Sequence, residues 1–283
     1  MKTDWIIGCS TPFQYLNRQY FSQYRAAGIT AMELSVDAEY YELLNIQKIA
    51  KEAAAEGIDT WSFHLPYYML KGSEITETNE KDRRFSVNFH SEWIKKAADA
   101  GFQYAVIHPS GEPIAEADRA AFMKASRASI AELSAIAKEN GMRLAVEALP
   151  RTCLGNCSAE LLELVKDAPD AGICFDVNHI ITEPVCDIMD ALSHRIVTLH
   201  ISDFDGIDER HWLPGEGIID WSAFLGKLDA MNYNGPLMYE INRDSTPTIQ
   251  REHPLTPDEI AQNAKELIAG QTLTKRGTVL VET

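Results

Sequence analysis

The sequence predicts a single (β/α)8 barrel, the TIM-barrel architecture of the α/β class, on three observations. Eight short apolar runs alternate with longer helical stretches along the 283 residues, the rhythm of parallel strands covered by helices. No composition break, linker or low-complexity tract divides the chain. The third to eighth runs each finish in His, Asp or Glu, and strand C-terminal ends are where such a barrel collects its chemistry.

Taken in order, the runs are 5–8, 31–34, 60–64, 104–108, 143–147, 172–176, 196–200 and 237–241. Each is short and rich in β-branched or aromatic residues, as buried strands are. Apolar residues recur at helical spacing in 41–56, 81–100, 116–140, 159–166 and 223–231, and Gly57, Gly101 and Gly141 supply helix stops. Residues 1–270 are thus read as the barrel domain and 271–283, QTLTKRGTVLVET, as a C-terminal extension. An open doubly wound sheet would show a similar alternation. Its dinucleotide fingerprint G-x-G-x-x-G is missing, however, from IIGCSTPF, which follows from the first run.

Composition bounds the function. Apolar residues make up 45% and charged residues 24%, near the soluble average, and no apolar run approaches the roughly eighteen residues a membrane span needs. The start MKTDWIIGCS has no basic region leading into an apolar one, so a cytoplasmic location is expected. With 42 acidic and 26 basic residues the net charge is -16, a field that repels polyanions and argues against nucleic acid as a partner. The basic groups Lys81, Arg83, Arg84, Lys95 and Lys96 read as solvated helix faces. Five cysteines, with Cys153 and Cys157 at C-x3-C spacing and no second Cys/His pair at zinc-finger distance, read as free thiols.

The strand-end residues are His64, His108, Glu147, Asp176, His200 and Glu240. Any one could cap a helix or satisfy a loop carbonyl. Three carboxylates buried near one axis, however, cost roughly several kcal/mol apiece unless compensated. No Lys or Arg stands at a comparable strand end, so a divalent cation is the expected compensation. Glu147, Asp176, His200 and Glu240 form an oxygen-rich set with one imidazole, suited to Mn2+, Mg2+ or Co2+ with positions open for substrate. His179, three residues beyond Asp176, is expected to contact substrate or act as a further ligand.

The elements FHLP, VIHPSG, AVEALPRTCLGN, GICFDVNH, VTLHISDFDG, HWLPGEG followed by IIDW, and MYEI, in this order, resemble the xylose isomerase-like TIM-barrel superfamily, in particular its sugar phosphate isomerase/epimerase members. The resemblance runs from about residue 6 to 241. It implies that Glu147, Asp176, His200 and Glu240 hold one divalent metal ion, usually Mn2+, with Zn2+ also compatible. It further implies a sugar isomerase or epimerase acting on a keto-sugar, keto-cyclitol or related small carbohydrate, with proton abstraction next to a carbonyl through a metal-bound enediolate. Glu147 and Glu240 are then the catalytic pair, one removing the proton and the other returning it.

His64, His108, His179 and His211 are expected to position substrate, Trp212 to lay its ring against the sugar, and Arg151 to bind a carboxylate or phosphate. Amides in the turn at residues 214–217 could also meet an anionic group. One departure weakens the free-ketohexose reading: Cys153 stands where ketohexose 3-epimerases carry a second glutamate, six residues past Glu147. Three alternatives stay open. One is a multi-zinc phosphodiesterase like endonuclease IV, for which His64, His108, Glu147, Asp176, His179, His200, Glu209, His211 and Glu240 fall at corresponding places. The others are a dehydratase or lyase on a keto-cyclitol or keto-glycoside, and a barrel that only binds. Barrels of this kind often pair through their helical shell, so a homo-oligomer is expected.

Overall fold

Residues 2–67 and 70–281 are described by the structure, a computed structural model. Eight strands form one sheet: β1 (Ile7–Thr11), β2 (Ala31–Leu34), β3 (Asp59–His64), β4 (Tyr104–Ile107), β5 (Arg143–Glu147), β6 (Gly172–Asp176), β7 (Ile196–His200) and β8 (Leu237–Tyr239). Their order is β7-β6-β5-β4-β3-β2-β1-β8, and each pair in it is parallel. β7 meets β8 through a parallel bridge between Ile201 and Tyr239. There the Ile201 amide donates to the Met238 carbonyl at 2.8 Å and the Glu240 amide to the Ile201 carbonyl at 3.2 Å. The sheet is therefore a nearly closed barrel, which removes the free edges an open sheet would leave.

Local chemistry explains the helical shell, made of α1 (Arg18–Ala27), α2 (Ile46–Ala55), α3 (Glu80–Asp99), α4 (Glu116–Glu139), α5 (Ser158–Leu164), α6 (Val185–Leu192), α7 (Trp221–Ala230) and α8 (Pro257–Ile268). Asn17, Asn45, Asn79 and Asp220 accept amide hydrogen bonds in the first turns of α1, α2, α3 and α7. Thr256 and Glu259 form a reciprocal capping box on α8, with Pro257 at its first position. Gly141 closes α4 at φ +77°, where a side chain would be strained.

The boundaries differ from expectation in three places. The first strand lies at Ile7–Thr11 rather than at 5–8, because β2 and β8 pair with that later stretch. The helix expected over 41–56 divides into a 3-10 turn, Ala38–Leu43, and α2. The Asn45 side chain starts a new helix between them by accepting from the Lys48 amide. Helices α1, α6 and α8 lie outside the stretches marked by periodicity; α6 is only eight residues long. The tail is also tied down: β10 (Gly277–Val279) pairs antiparallel with β9 (Ile249–Arg251) in the segment after β8.

Alternation along the strands sends one set of side chains to the helices and the other into the barrel. Low in the barrel, Val106, Ala145 and Cys174 pack together with Val197 against them, an apolar plug. Above it the interior turns polar, with Glu33, Ser62, His64, Glu147, Asp176 and His200 all at most 2% exposed. The strands thus deliver acids and imidazoles onto an apolar floor.

Candidate active site

Six side chains converge at the C-terminal mouth of the barrel. One oxygen or nitrogen from each of Glu147, Asp176, His200 and Glu240 falls in a group whose members all lie within 4.8 Å of one another. His200 Nδ1 is 3.0 Å from Glu147 Oε1, 3.0 Å from Glu240 Oε2 and 3.6 Å from Asp176 Oδ2. Asp176 Oδ2 and Glu240 Oε2 are buried and lack a hydrogen-bond partner. Two orphaned anionic oxygens facing an imidazole nitrogen are what a cation-binding set leaves when its protein atoms alone are considered. The donor chemistry, three carboxylates and one imidazole, fits a hard or borderline divalent ion.

The two glutamates sit in different surroundings. Glu147 is 1% exposed. Its Oε2 lies 2.9 Å from His64 Nε2 and 3.1 Å from His108 Nε2, while Oε1 faces His200. Burial alone would raise its pKa; His200 and His108 outweigh that and hold it well below the usual carboxylate range. Glu240 follows the end of β8, and its side chain is 23% exposed.

His179 and His211 belong to a second group, with Glu209 between them. His179 Nε2 is 3.2 Å from Glu209 Oε2. Burial opposes the His179 charge, but Asp176 and Glu209 overcome it and lift its pKa to about 10. Burial likewise opposes the charge on Glu209, which His179 and Arg151 nevertheless hold down at about 2. His211 adopts φ +51°. Asn178, just past β6, accepts from the amides of Arg210 at 2.8 Å and His211 at 3.3 Å, while the Asp176 carboxylate receives the Asn178 amide at 2.7 Å. The loop carrying His211 is therefore fastened to the strand carrying Asp176.

A cavity of about 360 Å³ opens over these groups, lined among others by His64, Tyr67, His108, Arg151, His179, His211 and Glu240. Tyr67 and Ser110 escaped the sequence reading, as did Asn178 behind the wall; HLPY and HPSG place the first two beside recognised histidines, which was the available signal. Glu33 on β2 was missed altogether. It is fully buried and lies 2.9 Å from His200 Nε2.

Three expectations about substrate contact change. Trp212 is fully buried, and its indole donates to Thr248 Oγ1 at 3.1 Å, so its ring packs in the interior and does not face a sugar. Arg151 lines the cavity, but its guanidinium is bound to Glu112, to Asp208 at 3.0 Å and to Glu209 at 3.0 Å. The turn at 214–217 also spends two of its amides internally: Gly215 donates to Asp203 Oδ2 at 2.8 Å and Glu216 to the Leu213 carbonyl at 3.0 Å.

The comparisons with known proteins agree with this architecture. Residues 21–269 match the family model described as xylose isomerase-like TIM barrel. Uncharacterized protein MJ1311 of Methanocaldococcus jannaschii is 27% identical over 186 residues, 62% of each chain; the match thus spans less than two thirds of that relative. A solved D-tagatose 3-epimerase-like protein is 25% identical, with a TM-score of 0.67 over 75% of this chain and 82% of its own. The 3-keto-D-glucoside 4-epimerase YcjR from E. coli, 19% identical, shares the fold with a TM-score of 0.69 over 93% of this chain and 98% of its own. With the family model covering nearly the whole barrel, the chain belongs to the xylose isomerase-like TIM barrel family.

Proposed function

We propose that the protein is a divalent-metal-dependent isomerase or epimerase of a neutral keto-sugar or keto-cyclitol, exchanging a proton on a carbon next to a carbonyl. The carrying observation is the convergence of Glu147, Asp176, His200 and Glu240, with two orphaned carboxylate oxygens, at the floor of an open cavity. The similarity to a D-tagatose 3-epimerase-like protein supports the reaction class.

Glu147, Asp176, His200 and Glu240 would hold the ion, with Mn2+ preferred by this donor set. When bound, it polarises a carbonyl oxygen and stabilises negative charge developing beside it. Glu147 and Glu240 take the two proton-transfer roles, at the ends of β5 and β8 on either side of the centre. His64, whose Nδ1 is tied to the Leu65 carbonyl at 2.9 Å, and His108 hold the Glu147 carboxylate, while His211 offers its Nε2 to a hydroxyl group. His179 keeps Glu209 in place at the rim. Neutrality of the substrate follows from electrostatics. Glu112, Glu147, Glu209 and Glu240 line the cavity, whereas the one arginine among the described residues that line it, Arg151, already serves three carboxylates. Away from the ion, a phosphate would therefore meet carboxylates with no uncommitted lysine or arginine among the described residues that line the cavity.

A second reading, a multi-zinc phosphodiesterase, is favoured by one observation. His64, His108 and Glu147 form a potential metal group, and so do His179, Glu209 and His211. The net charge of -16 and the commitment of Arg151 to Glu209 count against it. Elemental analysis of protein purified without chelator separates the two readings. The isomerase reading expects one tightly bound divalent ion per chain, and three zinc ions per chain would transfer the assignment to the phosphodiesterase.

A further inference from the structure

Glu33 is a carboxylate with no place in the quartet and no lysine or arginine hydrogen-bonded to it among the described residues. It is fully buried on β2. Strand register explains its setting: Ser10 of β1 and Ser62 of β3 are its Cα partners on the two sides. The pairing with β3 skips from Met32 opposite Thr60 to Glu33 opposite Ser62, an irregularity that brings Ser62 level with Glu33. Ser10 Oγ donates to Oε1 at 3.2 Å and Ser62 Oγ to Oε2 at 2.7 Å. Across the barrel, His200 Nε2 on β7 lies 2.9 Å from Oε1 and 3.1 Å from Oε2.

We propose that Glu33 is the positioning residue of the metal centre, holding His200 in the tautomer and orientation that present Nδ1 to the ion. The inference rests on the metal reading of the quartet and goes beyond it in assigning a role to a residue outside that set. A cation among Glu147, Asp176 and Glu240 needs a lone pair on Nδ1, the nitrogen facing those carboxylates. The ring proton must then sit on Nε2, and the acceptor aimed at Nε2 is Glu33. A ligating imidazole whose other N–H meets a carboxylate is fixed in rotation and made a better donor. The two serine hydroxyls fix the carboxylate in turn, so β1, β2 and β3 together orient a ligand carried by β7. Without that support the ring could rotate about χ2 and offer the wrong nitrogen.

The test uses Zn2+ as probe and three variants of the full chain. Glu33→Met keeps the volume and removes the acceptor, and Glu33→Gln restores one acceptor oxygen. Ser62→Ala, which removes one hydroxyl from the carboxylate, carries the test if Glu33→Met does not fold. Circular dichroism and thermal melting establish that each variant is folded at the assay temperature. Competition with a chelator is then expected to give a Zn2+ Kd about 10–100-fold weaker for Glu33→Met, with Glu33→Gln recovering most of the loss. Ser62→Ala is expected to weaken binding several-fold. In long-range 1H–15N spectra of the zinc-loaded wild type, His200 should carry its proton on Nε2, and Glu33→Met should lose that slowly exchanging proton, a signature that a merely structural role would leave in place. Wild-type affinity in folded Glu33→Met, or in folded Ser62→Ala where that variant carries the test, overturns the inference. So does a Glu33→Gln as weak as Glu33→Met. A wild type that binds no Zn2+ overturns the metal reading itself, and this inference with it.

Discussion

At the scale of single residues, environment separates side chains that sequence presents as equals. Glu147 and Glu240 both follow β-strand cores. Three imidazoles crowd Glu147, whereas Glu240 has an orphaned oxygen and a partly open side chain. Replacing either by Gln preserves shape and removes a proton acceptor, so each change is expected to lower turnover by roughly 10²–10⁴-fold with the circular dichroism spectrum unchanged. Wild-type turnover in either variant would refute its proton-transfer role. His90 on α3 supplies a prediction away from the site. It is fully buried, donates from Nε2 to the Ser73 carbonyl at 2.9 Å, and burial, aided by His64, depresses its pKa to about 4 against the pull of that carbonyl. The unfolded chain binds this proton below about pH 6.5, whereas the folded one resists it down to about 4. Its contribution is therefore intact above pH 6.5 and is lost as pH falls toward 4. The melting temperature of His90→Gln should depend less steeply on pH across that window than wild type; equal slopes would remove His90 as a cause.

At the scale of elements, the loops over the barrel mouth are set by a few buried polar contacts. Glu216 and Arg251, with side chains 0% and 1% exposed, pair through two bonds of 2.9 and 2.8 Å. Glu216 also accepts from the amides of Leu213 and Arg276, at 3.0 and 2.9 Å. This clamp joins the loop that follows His211 to β9 and to the tail segment before β10. Arg251→Ala leaves a buried carboxylate uncompensated and should cost about 3–5 kcal/mol in urea unfolding. A loss under about 1 kcal/mol would mean that water reaches the pair. Much of the candidate site was legible at this scale: four of the six converging side chains end strands whose apolar cores announce them, and His108 and Glu240 directly follow β4 and β8. Glu33 was illegible because AMEL reads as one more apolar strand; its meaning comes from a bond to a residue 167 positions away. Trp212 misled for the opposite reason. A tryptophan beside a site histidine suggests sugar stacking, yet the bridge between Asp203 and Trp212 turns that ring inward.

At the scale of the whole molecule, alternation of strand and helix specified the barrel, since eight parallel strands in sequential order have few other ways to bury both faces. What escaped was set by non-local pairing: the start of β1, the break before α2, and the attachment of the tail through β10. Among the described residues no helix is long and apolar enough to cross a membrane. The acidic cavity and the net charge of -16 act together on ligand choice. Phosphorylated and unphosphorylated forms of one ketose should therefore differ at least 10-fold in kcat/KM in favour of the neutral form, with the reverse order refuting the neutral-substrate reading. The central claim, metal-dependent proton exchange beside a carbonyl, is tested most directly by incubating Mn2+-loaded protein in D2O with a panel of ketoses and keto-inositols. Deuterium should enter at the carbon next to the carbonyl of at least one compound, and the exchange should stop with chelator or with Glu147→Gln. No incorporation in any compound by protein carrying its full complement of metal would contradict the account.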